Sequence, residues 1–186
     1  MDAFSYLSVL ISIILGLAIT QVLQGYRALL LARERTRLDP TPLIWSGLVL
    51  LFAAQAWWAS FGLNARRNWD FLGFAVILVQ MGLIYMLSAL VLPDIAPGER
   101  IHVGDHFRKH RHAFFGFLLG MLVSSIAKEA VLTGRLPSPI NLVFHIVFGI
   151  GAIGGMVLKG PRAQLGVALY ASATFLSYVA LLFAHL

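Results

Sequence analysis

The stretch FSYLSVLISIILGLAITQVLQGYRALLL, Phe4–Leu31, decides the fold. Its apolar residues do not alternate with polar ones, and Arg27 is its one charged side chain. Crossing about 30 Å of hydrocarbon takes roughly 20 residues at 1.5 Å each. The run therefore predicts a transmembrane helix. Five further runs read the same way: Leu43–Asn64, Phe71–Leu92, Ala113–Leu132, Ile140–Leu158 and Ala163–Ala184. A β-barrel would need strands that alternate inward and outward residues, and Val9–Leu15 or Leu48–Ala54 do not. The expected fold class is an all-α membrane protein, one domain over residues 1–186 with six transmembrane helices.

Composition agrees. Of the 186 residues 59% are hydrophobic and 12% are charged, about half the charged share of a soluble domain. There is no cysteine, which removes disulfides, thiolate catalysis and thiolate metal sites. A net charge of +6 with no basic soluble module points to orientation and anionic lipid, not to nucleic acid. No basic segment precedes the first run, so it is expected to be a retained span and not a signal peptide.

Lysine and arginine fall on alternate loops. Arg33, Arg35, Arg37, Arg100, Arg108, Lys109, Arg111, Lys159 and Arg162, with Arg27 beside them, stand against Arg66, Arg67, Lys128 and Arg135. The positive-inside rule puts the richer loops in the cytoplasm and both termini, Asp2 included, on the periplasmic side of a cell inner membrane. Trp45 and Trp69 are expected in the interfacial belt, with Trp57 and Trp58 deeper.

Small and polar residues recur every fourth position in the first helix (Ser8, Ser12, Gly16, Thr20, Gln24) and in the fourth (His112, Gly116, Gly120, Ser124, Lys128). Such ladders let helices approach closely in lipid. With Gly151 and Gly155 of the fifth helix they predict a packing centre at helices one and four. The doubled ladder also suits a 3+3 inverted-topology repeat.

Candidate functional residues are the polar groups within the spans. Thr20, Gln21, Gln24, Gln55, Gln80, Tyr85, Ser124 and His145 need hydrogen-bonding partners once out of water. Lys128 and Glu129, near the outer end of the fourth helix, are the ionisable pair inside a span, and charge at depth points to function. Together they outline a polar path between helices one, three, four and five. The reading is a small transporter or channel. The alternative is a non-catalytic packing subunit of a homo-oligomer or larger membrane complex.

Loop 94–112 reads as a cytoplasmic amphipathic segment. Its Arg108, Lys109 and Arg111, interleaved with Phe107, Phe114 and Phe115, suit anionic lipid headgroups. His102, His106 and His110 share a helical spacing open to a transition metal, which the interleaved cations oppose. A membrane haem would need His145 paired with His185. No cofactor is predicted, and no enzymatic activity. The chain has no potassium-channel filter, no lysine in its last helix and no His-Glu-x-x-His. Ser124 and Ser125 have no histidine expected at their depth on a neighbouring helix.

Overall fold

A computed structural model describes residues 3–66, 68–96 and 98–183. Asp2, Arg67, Ala184 and the His185 of the haem pairing lie outside the described residues. The chain is an all-α membrane protein with six helices long and apolar enough to span a bilayer. They are α1 (Ala3–Leu31), α2 (Pro40–Ser60), α3 (Phe71–Val91), α4 (Val103–Thr133), α5 (Pro139–Val157) and α6 (Pro161–Phe183). Two short strands, β1 (Thr36–Arg37) and β2 (Ile101–His102), pair in parallel across the loops before α2 and α4.

Local chemistry sets the helix ends. Asp39 accepts from the Thr41 N–H at 2.9 Å and caps α2, whose first turn holds Pro40 and Pro42. Asp70 caps α3 through the Gly73 N–H at 2.9 Å. Ser138 caps α5 ahead of Pro139. Gly134, at φ 69°, closes α4 in the left-handed conformation that glycine adopts without strain.

Helices α2, α3, α4, α5 and α6 each pack on the next, and α6 returns to α2. They form a closed five-helix ring, with α1 outside it against α2 and α3. This corrects the expected packing centre. α1 turns Leu7, Ile11, Leu15, Ala18 and Val22 inward, while Ser12, Gly16, Thr20 and Gln24 of its ladder are exposed. A Cβ on Gly16 would meet nothing within 4 Å. The ladder of α4 is used: a Cβ on Gly116 would meet Met156 at 3.7 Å, and one on Gly120 would meet Leu83 at 3.5 Å. The two halves are not packed alike, as the two-fold relation of an inverted repeat would require. α1 lies along α3 and α3 along α4, whereas neither α4 with α6 nor α6 with α1 makes a comparable contact.

The strand-bearing end of the ring is sealed by aromatic rings. Trp45 is fully buried, facing the interior of the ring and not the headgroups, and stands edge-on to Phe114 and Phe115 at 5.3 and 5.4 Å. Phe107 joins them, 5.1 Å from Phe114. The segment expected to lie on lipid is thus helical from Val103 and continuous with α4. Phe107, Phe114 and Phe115 are spaced i, i+7 and i+8, one helix face, and that face is turned inward. Arg108 bonds Asp105 and reaches Asp39 at 3.4 Å, while Arg111 meets the Met156 carbonyl near the end of α5. Lys109 is exposed.

Asp39 serves both the α2 cap and the α2–α4 clamp, which gives a first prediction. Asp39→Ala should cost about 1–2 kcal/mol, the sum of a lost cap and a partly exposed ion pair. Asp39→Asn keeps the cap and should cost less than half of that. Reversible unfolding in mixed micelles measures both; equal losses would show that the cap contributes nothing.

Candidate binding lumen

A cavity of about 110 Å³ lies inside the ring, and all five ring helices line it. Its layers follow from chain direction. Moving away from the aromatic seal, α2 presents Phe52 and then Gln55, and α3 presents Ile84 and then Gln80. In the same sense α4 presents Met121 and then Ser125, α5 Phe148 and then His145, α6 Phe175 and then Tyr178. Three or four residues, one helical turn, separate each pair. The result is a polar collar over an apolar floor. The floor is knit by edge-on contacts of Phe52 with Phe148 at 5.9 Å and with Phe175 at 5.0 Å.

Gln80 sits nine positions into the 21-residue α3, roughly 13 Å along a helix about 31 Å long. The collar is therefore near mid-membrane depth. Further from the seal lies a wider vestibule of about 640 Å³ among α1, α2, α3 and α4, with Ile11, Arg66, Lys128 and Glu129 in its lining. Ala56 borders both spaces. Arg66 also donates to the Leu132 carbonyl and stacks on Trp69, tying the α2–α3 hairpin to the end of α4. Charge is thus confined to the vestibule.

One bond in the collar has a readable direction. His145 Nδ1 lies 2.7 Å from the Asn141 carbonyl, and Nε2 lies 3.1 Å from Ser125 Oγ. A carbonyl can only accept, so Nδ1 carries a proton; in the neutral imidazole Nε2 then accepts from the Ser125 hydroxyl. This corrects the expectation that Ser125 has no histidine at its depth. The pair has the form of a nucleophile facing its base. Every lining residue is inside a helix, where backbone N–H groups are committed to carbonyls, so no backbone oxyanion hole faces the lumen.

The expected path divides accordingly. Gln55, Gln80 and His145 meet in the lumen, and Lys128 with Glu129 in the vestibule. Thr20 and Gln24 do not join them: Thr20 bonds the Gly16 carbonyl at 2.8 Å on the outer face of α1. Gln21 and Tyr85 line neither space, and Ser124 is buried against the Met121 carbonyl at 3.0 Å. The serine that lines the lumen is its neighbour Ser125, turned about 100° around α4. Thr174 and Tyr178, an i, i+4 pair on α6, were the polar signal left unread.

The histidine run does not gather. His106 and His110 lie with ring centres 4.5 Å apart and planes tilted by 43°, but His102 belongs to β2 and its extended backbone leaves the helical face. Among the described residues no three His, Cys, Asp or Glu side chains could hold a metal ion. Comparison with protein-family models, curated proteins and solved structures finds no match to the chain.

Proposed function

We propose that this chain is a small transporter or channel-like protein whose path is the five-helix lumen, entered from the vestibule. The observation that carries the reading is the collar itself. Five helices each turn a polar side chain toward one space near mid-depth, although lipid-facing helices have no need of any. A protein that only packs would be expected to fill that space. The aromatic floor and the Trp45 seal fit a site closed at its far end, and the charge bias of the loops puts that end in the cytoplasm. Opening the floor is then the step that passage requires.

A second reading, a packing subunit of a larger complex, draws on α1. Its exposed Ser12, Gly16, Thr20 and Gln24 form the kind of face that helices in membranes use for close association. Gentle purification from native membrane with mass spectrometry tests it. A stoichiometric partner would favour it.

The absence of cysteine makes the transport reading directly testable with single-cysteine variants and a small neutral maleimide added to one side of oriented proteoliposomes, with an impermeant thiol quencher on the other. Ser125→Cys should react from the vestibule side. Ala152→Cys, on α5 one turn below Phe148, should react from the opposite side when the floor opens. Reaction at 125 with none at 152 from either side would mean binding without passage and overturn transport. No reaction at either position would mean a dry centre and favour the packing subunit.

A further inference from the structure

We infer that the lumen accepts a small neutral molecule with an apolar body of about one ring and a hydroxyl-type head that donates a hydrogen bond. The inference rests on the reading of the lumen as a binding site and adds the chemistry of its occupant.

Size comes from the cavity. Its volume of about 110 Å³ compares with roughly 150 Å³ for an apolar protein cavity that takes benzene. The collar residues line this same volume, so ring and head together must fit within it, and one ring is the most it holds. A second ring has no room.

Neutrality comes from what lines the space. No Asp, Glu, Lys or Arg does; Lys128 and Glu129 border the vestibule instead. An ion descending past them would lose its hydration without meeting a counter-charge, which is costly at this depth.

The head comes from Gln80. This side chain is 7% exposed, lines the lumen, and its carbonyl oxygen has no hydrogen-bond partner among the described residues. A buried acceptor in that state costs free energy until water or a ligand donor bonds it. A ligand O–H removes that cost. An ether or a hydrocarbon of the same shape leaves it in place, so the site should discriminate by the donor and not by the ring.

Calorimetric titration of the full chain in detergent with phenol, anisole, toluene and benzoate, each against empty micelles, tests this. Phenol should saturate one site roughly tenfold or more tighter than anisole or toluene, and benzoate should not bind. Anisole or toluene equal to phenol would overturn the donor requirement, and benzoate equal to phenol would overturn neutrality; either leaves the lumen a binding site. Saturable binding by none of the four would remove the site itself, and the inference with it. In Gln80→Leu, phenol should fall to the affinity of anisole while toluene is unchanged; an unaltered phenol affinity would overturn the role given to Gln80. One readout leaves Gln80 intact: phenol should protect Ser125→Cys from maleimide, and no protection would place phenol outside the lumen and overturn the assignment.

Discussion

Replacing Trp45 by alanine should cost about 3 kcal/mol of stability and open the sealed end of the ring. Trp45 is fully buried, with Phe114 and Phe115 edge-on to it. In a bilayer such a side chain gains little by leaving water, since lipid is as apolar as the protein core. Its contribution is dispersion and ring geometry, both of which a cavity forfeits. The estimate is therefore the low end of the range for large aromatic truncations. Unfolding in mixed micelles measures it, and a loss below about 1 kcal/mol would show that the seal does not hold α2 to α4. The functional consequence is separate. In the Ser125→Cys chain, Trp45→Ala should make the cysteine reactive from the strand-bearing end as well. Reactivity still confined to the vestibule side would mean that the Phe52, Phe148 and Phe175 floor closes the lumen unaided. Trp45→Phe should restore most of both properties, because the edge-on contacts need a ring more than they need the indole.

Six spans could be read from the chain because the bilayer imposes its requirement locally. A run such as Phe4–Leu31 must satisfy its backbone internally and meet lipid along its length, and the sequence alone records both. Which face each helix turns inward is not recorded in the same way. In water, burial separates apolar from polar residues around a helix; in lipid both faces are apolar, and the periodic signal is lost. Thr20 and Thr174 look alike in the sequence, yet one is on the outer face of α1 and the other lines the lumen. Ser124 and Ser125 are adjacent, and only the second reaches His145. Trp45 resembles a belt residue until α4 is seen to begin at Val103 and bring Phe114 and Phe115 against it. Charged residues in 103–112 suggested a loop, but a helix longer than the hydrocarbon core can carry them on the part that projects beyond it. Gln55, Gln80 and His145 were legible because a buried amide or imidazole needs partners wherever it lies.

Glycine makes the same distinction measurable. Gly155→Ala should destabilise the protein by about 2 kcal/mol, whereas Gly16→Ala should be neutral or stabilise it by up to about 1 kcal/mol. Both glycines are inside helices, and both read as packing positions in the sequence. A Cβ on Gly155 would run into the Phe115 ring, which Trp45, Phe107 and Phe114 hold from other sides. The ring cannot swing clear, so relief must come from moving α5 away from α4. That movement would also stretch the bonds by which Gln164 Nε2 reaches the Gly155 and Leu158 carbonyls at the end of α5. It would lengthen the Ser125–His145 bond as well, so a loosened lumen should accompany the lost stability. At Gly16 nothing is within reach, and alanine restores ordinary helix propensity. Equal effects at the two positions in detergent-solubilised monomer would refute the placement of α1 outside the ring. If α1 docks on a partner through its exposed ladder, Gly16→Ala should weaken that association in native membrane while leaving the isolated chain as stable as before. The pair of substitutions thus separates packing within this chain from packing between chains.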